Sequence, residues 1–570
     1  MISLSIIAWV WWWLATPVTL ARAPIDPAAK LECVSYAPFR NDQTPHDPKL
    51  VVSPEQIAED LAELAKTTKC IRTYSVDNGL DKVPELASRA GLKVLLGIWI
   101  GRDRAKNAIL SNTAVALAKE HPGVITAIIV GSEVLLRGEM TVSDLREIIR
   151  SVKPRVNVQV TYADVWEFWL RYREMSADVD FITMHFLPYW EDSPPRAEDA
   201  AAHVDSVRKQ VAAAFPGKEI LIGETGWPSQ GRMRDVALPS RINQARFISE
   251  ILELATRDKF RVNLFEAFDE PWKRKWEGTV GGYWGLYAGD RTLKYPAGAA
   301  VSNYPFWKVQ MAGGLILCIC IFGAALLALR RRPSPPRLAS WVAVAVSATV
   351  GGILFGVSAD KMLHESYGFD GWLAQGLLLA AGIAAPLLST HALMSGRSLP
   401  AFLELLGPPK VRTPLFAINM LGLTLIATTL IATQTALGLT FDARWRDFPF
   451  AALTMAVVPF WTLAFLNGPK SGARPLAEAV FTGLLAVVAL YIIFNEGSHN
   501  WQAMWTGAAY LLLGSALWQA RTMAVEAAST EASRPAEGFV RGNQLPVIDT
   551  AASMEAHASE RRVAGFTAGS

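Results

Sequence analysis

The sequence lacks the usual signatures of a metal or nucleotide site. Only four cysteines occur in its 570 residues, and no cluster of His, Cys and Asp has the spacing that metal binding requires. No G-x-G-x-x-G follows an early strand, so a dinucleotide site on a glycine-rich first turn is not expected. We therefore predict no metal, no cofactor and no nucleic-acid partner.

Charge is also scarce in the second half of the chain. Residues up to about Tyr304 mix charged and apolar segments, and the rest holds apolar runs close to the ~20 residues that a membrane span needs. These runs are 309–329, 338–358, 372–394, 414–438, 449–467, 476–495 and 501–520. We therefore expect a soluble domain at 30–304 and a seven-helix transmembrane domain at 307–520.

The loops between these runs differ in basic residues. One set carries Arg330, Arg331, Arg332, Arg337, Arg397, Lys410, Arg412, Lys470, Arg474 and Arg521, whereas the opposite set carries only Lys361, Arg444 and Arg446. Loops rich in Lys and Arg stay in the cytoplasm. The soluble domain is thus expected on the outer side. The polar tail, 521–570, is expected to be cytoplasmic and disordered.

The N-terminal segment, 1–23, has no Lys or Arg ahead of its apolar stretch. Its small-x-small site, Ala21-Arg22-Ala23, is followed by Pro24, which is poor for signal-peptide cleavage. The stretch is long enough to span a membrane with little tilt, and its three consecutive tryptophans, 11–13, suit a membrane interface. We favour an uncleaved anchor over a signal peptide, which gives eight spans with both termini inside.

The four cysteines form two groups. Cys318 and Cys320 lie within an apolar run and are interpreted as packing residues. Cys33 and Cys70 lie in the domain expected on the outer side, where a disulfide is permitted. Whether they pair depends on a Cα separation below ~7 Å, which sequence does not reveal.

A repeating pattern between Leu31 and Pro271 predicts the fold of the soluble domain. A short apolar run, a polar loop and an amphipathic helical pattern recur, with strands expected at 33–39, 70–76, 93–100, 125–133, 157–165, 180–190, 219–228 and 261–270. Eight strands that alternate with helices predict an α/β fold, a parallel (β/α)8 TIM barrel, with a doubly wound sheet as the alternative.

Several predicted strands end in polar or aromatic residues, among them Glu133 and Glu224. Active residues of such barrels lie at the C-terminal ends of strands, so the two carboxylates would point into the same opening. Paired carboxylates of this kind cleave glycosidic bonds, one as acid and one as nucleophile or base. The pattern alone equally allows each Glu to cap a helix or to pair with Arg72 or Arg137.

Three motifs in order carry a resemblance to a known family. "VGSEVLLRGEMT", "ILIGETGWPSQGR" and "VNLFEAFDEPWK…EGTVGGYWGLY", with "VSYAPFR" near the start, resemble the bacterial branch of glycoside hydrolase family 17, the β-1,3-glucanase family. The resemblance implies a retaining mechanism, with Glu133 as acid/base and Glu224 as nucleophile. It also implies a charged group in the cleft made of Glu270, Lys273 and Glu277. Ser132 stands where the family usually has Asn.

The substrate-binding candidates are strand-end and aromatic side chains that suit a sugar. They are Tyr36, Arg72, Tyr74, Ser132, Tyr162, His185, Trp227, Glu270, Lys273, Trp276 and Glu277. A wider aromatic set adds Tyr189, Trp190, Trp272 and Trp284, and about half of all these rings are expected to be core residues, since buried aromatics are ordinary in cores. Trp227 is the favoured wall of a sugar subsite.

The resemblance also suggests a function. Bacterial members with this layout are similar to proteins described as β-(1→6) glucan synthases, so we expect a transglycosylase at the bacterial inner membrane, with its catalytic domain in the periplasm. Its expected partners are β-glucan chains as donor and acceptor, the lipid bilayer and a glucan synthase. The alternatives are a retaining β-1,3-glucan hydrolase, a nucleotide-sugar-dependent synthase, and a non-catalytic export or scaffold protein.

Overall fold

Eight parallel strands close into a barrel, as the sequence predicts. The computed structural model of the chain describes residues 1–26, 29–41, 43–295, 300–330, 335–406, 416–468 and 471–521. The barrel strands, numbered β1 to β8, are Cys33–Ser35, Cys70–Arg72, Lys93–Ile98, Ile125–Ser132, Gln159–Val165, Ile182–His185, Ile220–Thr225 and Arg261–Leu264. Each strand pairs with the next along the chain, and β8 pairs with β1. The doubly wound alternative is thereby excluded.

The helices that precede and surround the barrel alternate with its strands. Numbered α1 to α9, they are Ile2–Leu14, Pro54–Leu64, Val83–Arg89, Arg104–Glu120, Val142–Val152, Trp166–Arg171, Ala197–Ala214, Arg241–Asp258 and Arg274–Gly281. Helix α2 begins at an N-cap, because the Ser53 hydroxyl accepts a hydrogen bond from the Gln56 backbone N–H. The Gln56 side chain donates to the Pro38 carbonyl oxygen, which ties the start of the helix to the loop after β1.

Most predicted strands extend past the observed ones at the C-terminal end. The strand predicted at 180–190, for example, ends at His185, and a turn of 3₁₀-helix follows at Pro188–Trp190. The chain leaves the barrel wall at these points and enters loops that carry polar side chains. These C-terminal strand ends and loops form the mouth of the barrel, where active residues of this fold lie.

The barrel interior holds a disulfide between neighbouring strands. Cys33 on β1 and Cys70 on β2 are bonded, with Cα atoms 4.3 Å apart. They belong to a small buried cluster that the strands contribute, separate from the large core that packs the strands against the helices. The sequence alone did not decide whether these two cysteines pair. The barrel allows the pairing because it brings residues 37 positions apart into adjacent strands.

In the described part of the chain, eight further helices follow the barrel. Numbered α10 to α17, they are Trp307–Leu329, Leu338–Glu365, Gly368–Met394, Phe402–Leu406, Phe416–Phe441, Phe450–Asn467, Leu476–Glu496 and Trp501–Trp518. Among the described residues, six of them are long and apolar enough to cross a membrane by length and composition: α10, α11, α12, α14, α15 and α16. Helix α17 corresponds to the seventh predicted run but falls outside this set, and α1 has only 13 residues.

Two short strands join the start and end of the barrel domain. Val18–Thr19 pairs antiparallel with Ala300–Val301, a pairing that we call the ribbon. Helix α1 packs beside α10 and α11, with the Trp11 and Tyr304 rings in edge contact at 5.3 Å. The predicted tail beyond residue 521, and the basic residues Arg331, Arg332, Lys410, Arg412 and Lys470, lie outside the described residues.

Candidate active site

Glu133 stands at the end of β4 in a backbone conformation that is unusual for its type. Its φ is +55°, in the left-handed region, which costs a non-glycine residue roughly 1–2 kcal/mol. Its N–H donates to the Ala163 carbonyl oxygen at 2.8 Å, which holds this conformation. The side chain is 28% exposed, so the carboxyl group reaches the mouth of the barrel. Strain of this kind often marks a functional position.

Glu224 on β7 is held by two donors on one oxygen. Its Oε1 accepts from Arg72 Nη1 at 3.0 Å and from the Tyr74 hydroxyl at 2.9 Å. Every hydrogen bond that its carboxylate accepts from the described residues falls on Oε1, which leaves Oε2 available to a substrate. The Arg72 guanidinium and the Tyr74 hydroxyl thereby fix the orientation of the carboxylate.

The two carboxyl groups face each other at short range. Oxygens of Glu133 and Glu224 and a ring nitrogen of His185 all lie within 4.8 Å of one another. Retaining glycosidases hold their carboxyl groups about 5–5.5 Å apart, and inverting enzymes about 6.5–9.5 Å apart. The spacing therefore suits attack by one group and proton donation by the other across a single bond.

His185 connects the two carboxyl groups and Arg72. Its Nε2 lies 3.0 Å from Arg72 Nη1, and because a guanidinium only donates, Nε2 accepts. The proton therefore sits on Nδ1, which donates to Glu133 Oε1 at 2.7 Å. Burial lowers the pKa of His185 to about 3, and the ring stays neutral. A cation bound by His185 and the two carboxylates would have to displace the Arg72 guanidinium, so the arrangement fits a metal poorly.

The environment of Glu133 favours a proton on its carboxyl group. Burial raises the pKa of Glu133 above its ordinary value, and the positive charges of Arg72, Arg137 and Lys273 only partly oppose the shift. A proton donor in a glycosidase needs a raised pKa of this kind, while its partner carboxylate stays ionised. The direction of the Glu133 shift is therefore the one that a proton donor requires.

Behind Tyr74 lies a chain of donors that the sequence did not reveal. Asn263 Nδ2 donates to Ser35 Oγ at 2.8 Å, and Ser35 Oγ lies 3.0 Å from the Tyr74 hydroxyl. Since Asn263 supplies a proton to Ser35, Ser35 can give its own proton to Tyr74, and Tyr74 can give its proton to Glu224. The only sequence signal for Asn263 is a polar side chain inside the apolar strand "RVNL".

The charged residues after β8 include an ion pair that the resemblance does not imply. Lys273 Nζ lies 2.6 Å from Oε2 of Glu266, which was absent from the predicted set. Burial raises the pKa of Glu266, and Lys273 only partly opposes this. Glu270 accepts from the Trp272 indole at 2.7 Å, and its pKa is raised well above its ordinary value, first by burial. Glu277 is half-buried, and burial raises its pKa too.

Several predicted binding residues lie at the carboxylates, and two tyrosines lie behind them. Arg72, Tyr74, Ser132 and His185 form one hydrogen-bonded group with Glu133 and Glu224. The hydroxyl of the buried Tyr36 lies 3.3 Å from Asp60. The hydroxyl of the buried Tyr162 donates to Asp164 and accepts from the Leu135 N–H, which fixes the loop after Glu133. Both tyrosines therefore support the site from behind.

Trp227 corrects a specific expectation. The side chain is 0% exposed, and its indole N–H donates to the Leu238 carbonyl oxygen at 3.0 Å. It is a core residue in this structure and does not form the wall of a sugar subsite, because the residues after β7 turn it toward α8 rather than into the mouth. Trp276, by contrast, is 55% exposed. Of the wider aromatic set, Trp190 and Trp272 are half-buried, and Tyr189 and Trp284 are buried.

Comparisons with known proteins agree with this architecture. Residues 33–285, which include all eight strands, match the family model of the BtgE/BtgC glycoside hydrolase domain. A "Glucan 1,3-beta-glucosidase" of Schizosaccharomyces pombe is 32% identical over 259 residues, covering 41% of this chain and 78% of the relative. A protein of the same description from Arthroderma benhamiae is 30% identical over 255 residues, covering 41% and 81%.

A solved structure is also similar. The glycoside hydrolase family 17 β-1,3-glucanosyltransferase of Rhizomucor miehei is 26% identical, with a TM-score of 0.41, and the match covers 46% of this chain and 95% of that one. The family model and the two relatives together cover the barrel with its carboxylate pair, at a level of identity that establishes membership. The chain belongs to glycoside hydrolase family 17.

Proposed function

We propose that this protein is a membrane-anchored retaining transglycosylase that acts on β-1,3-glucan. The observation that carries the proposal is the pair of Glu133 and Glu224, whose facing atoms lie within 4.8 Å, with burial raising the pKa of Glu133. The names of the relatives from S. pombe and A. benhamiae support a β-1,3-linked glucan as the donor.

The first half of the proposed reaction transfers the sugar to the enzyme. Glu224 Oε2 attacks the anomeric carbon, and the bond from that carbon to the glycosidic oxygen breaks. The leaving oxygen takes the proton of Glu133. Arg72 and Tyr74 hold Oε1 and thereby orient Oε2 toward the sugar. The products are a covalent glycosyl ester on Glu224 and an ionised Glu133.

The second half transfers the sugar to an acceptor. Glu133 takes a proton from an acceptor hydroxyl, whose oxygen attacks the anomeric carbon and releases Glu224 as a carboxylate. A hydroxyl of another glucan gives an elongated or β-1,6-branched chain, whereas water gives hydrolysis. Ser132 bears on this choice because its hydroxyl accepts from Arg72 Nη2 at 3.1 Å, in the position where the family usually has Asn.

Product analysis distinguishes the two outcomes. The purified full chain is incubated with a defined laminari-oligosaccharide, and products are measured by mass and linkage analysis. We expect longer or branched products, and Glu224→Gln is expected to abolish them. Glu253→Gln, the same change at an exposed position on α8, is the control and should keep full activity. Products that are only shorter than the substrate would assign the protein as a hydrolase.

We further propose that helices α10 to α17 and α1 anchor the protein in the bacterial inner membrane, with the barrel in the periplasm. The barrel contacts the three loops that have few basic residues, near Ser366, Asp447 and Glu496. The described basic residues of the other loops are Arg330, Arg337, Arg397, Arg474 and Arg521, at the opposite helix ends. This distribution follows the positive-inside rule. A glucan synthase in the same membrane remains the partner that would supply donor chains.

Labelling tests this topology. A cysteine placed at the exposed position of Glu253 should react with a membrane-impermeant maleimide in spheroplasts, above the level of the parent chain. A cysteine at the exposed position of Arg337 should react only after lysis. The reverse pattern would contradict the proposed orientation.

A further inference from the structure

The mouth of the barrel rests against the helices that follow it. Arg232, in the loop after β7, pairs with Glu496 at 2.5 Å, and the N–H of the next residue donates to Gln502. In the segment after β8, Arg274 donates to the Ser366 carbonyl oxygen at 2.8 Å, and the Thr279 hydroxyl donates to Asp447 at 2.6 Å. These barrel residues all follow strand ends, so it is the catalytic face that docks.

One turn of the helical region packs against the segment that follows β8. This turn, Ala443–Trp445, connects α14 to α15 and lies beside α9. Gly278 on α9 has a φ of +67°, and a Cβ at this position would meet the Trp445 carbonyl oxygen at 2.5 Å. Glycine therefore permits the turn to approach the barrel backbone directly.

The side chains of this turn form an aromatic and cationic group with Trp190. The Trp445 ring lies 5.8 Å from the Trp190 ring, edge to face. The Arg444 guanidinium lies 5.7 Å from the Trp190 ring and 4.9 Å from the Trp445 ring. Trp190 belongs to the loop after β6, five residues beyond His185. The group therefore stands at the rim of the mouth.

Glu277 links this group to the carboxylate pair. Its pKa is raised by burial and by the negative charges of Glu133 and Glu224, and it is lowered by the positive charges of Lys273 and Arg444. Glu277 also directly precedes Gly278, the residue against which the Trp445 backbone packs, so this half-buried side chain stands where the turn meets the segment after β8. The sugar chain that reaches the carboxylates would pass this edge.

Arg444 is free to bind a ligand. It is exposed, and within the described part of the chain it makes no hydrogen bond or ion pair. Arg446, two residues on, is different because it pairs with Asp442 at 3.1 Å. An unpaired guanidinium offers five N–H donors, and half-buried tryptophan rings offer apolar faces. Donors beside aromatic faces are the chemistry that recognises a pyranose ring and its hydroxyls.

We propose that Arg444 and Trp445 form a glucose-binding subsite, together with Trp190, at the edge of the catalytic cleft. The proposal rests on the proposed function, since it names a glucan as the ligand. It makes the membrane-side helices part of the substrate site, so the cleft is complete only in the full chain. A subsite outside the reacting bond binds longer chains more tightly and leaves the shortest substrates unaffected.

The test compares three variants of the full chain in detergent with laminari-oligosaccharides of increasing length. Arg444→Ala and Trp445→Ala are expected to raise KM for the longer oligosaccharides about three- to tenfold, in keeping with the strength of aromatic and cation contacts, with little change in kcat. Arg446→Ala is the control and should behave as wild type. A shift in product distribution toward hydrolysis, without a change in donor KM, would place the subsite on the acceptor side.

A binding measurement separates this proposal from the proposed function. Laminari-oligosaccharide is titrated into the full-length Glu224→Gln chain with and without Arg444→Ala, and the change in tryptophan fluorescence gives Kd. A higher Kd in the double variant, which means weaker binding, supports the subsite. Equal Kd and KM values in all chains overturn the subsite but leave the proposed function intact. A wild-type chain that neither binds nor converts the oligosaccharide overturns both.

Discussion

Replacement of His185 by Phe tests how the acid/base group is tuned. The neutral ring donates from Nδ1 to Glu133 Oε1 at 2.7 Å, and this hydrogen bond favours the ionised form of the carboxyl group. Phenylalanine fills the same buried space without a donor. The ionised form of Glu133 is then less stable, so the pKa of Glu133 should rise.

The expected size of the effect follows from the geometry. A hydrogen bond to a charged group contributes about 1.5–3 kcal/mol, and one pKa unit corresponds to about 1.36 kcal/mol. Removing the bond should therefore raise the pKa of Glu133 by about 1–2 units. This adds to the rise that burial already causes in the wild-type chain.

The assay is the pH dependence of kcat/KM for a laminari-oligosaccharide. Loss of the acid's proton sets the alkaline limb of such a profile, so this limb should move up by about 1–2 pH units in His185→Phe. Tyr74→Phe removes a hydroxyl from Glu224 but leaves the pair of His185 and Glu133, and it should leave the alkaline limb in place. An unchanged alkaline limb in His185→Phe, or one moved toward acid, would refute the reasoning.

Two further predictions concern stability. Cys33→Ala with Cys70→Ala opens a loop of 37 residues; by the chain-entropy relation this costs about 3–4 kcal/mol, so calorimetry should show a Tm lowered by several degrees, and an unchanged Tm would contradict it. Burial raises the pKa of Asp178, but hydrogen bonds from Arg146 and Arg150 outweigh it and leave the pKa below its ordinary value. The ionised form thus stabilises the fold above about pH 4. The difference in Tm between the wild-type chain and Asp178→Asn should decrease as the pH falls below about 4. A difference that stays constant with pH would count against the ion pairs.

The carboxylate pair was predictable because strand order alone decides it. In a parallel barrel every strand ends at the same rim, so a Glu at the end of β4 and another at the end of β7 must share one opening. The same rule placed Arg72, Tyr74 and His185 correctly near the carboxylates. The alternation of strand and helix was sufficient to predict this placement, because these side chains lie at or just after strand ends that open into the mouth of the barrel.

Side chains in the loops after the strands were less predictable. Trp227 follows Glu224 by three residues, yet it is buried, because its direction depends on loop conformation and on packing against α8. Glu266 lies within the strand predicted at 261–270, but its pairing with Lys273 depends on the turn at Pro271–Lys273. The sequence indicates Arg444 only as one of the few basic residues in the loops expected on the outer side. No pattern in the sequence indicates that a loop more than 300 residues beyond Glu133 packs against Trp190 and α9.

The ribbon of Val18–Thr19 and Ala300–Val301 brings the two ends of the barrel domain together beside α1 and α10. In terms of gene architecture, the barrel is a domain inserted into the connection between two packed helices. Loop-closure entropy grows only slowly with length, and domains with adjacent ends tolerate insertion. The ribbon therefore lets a whole catalytic domain enter and leave the chain at one point beside α1 and α10, while contacts such as those of Arg232 and Thr279 fix how its mouth meets the helices.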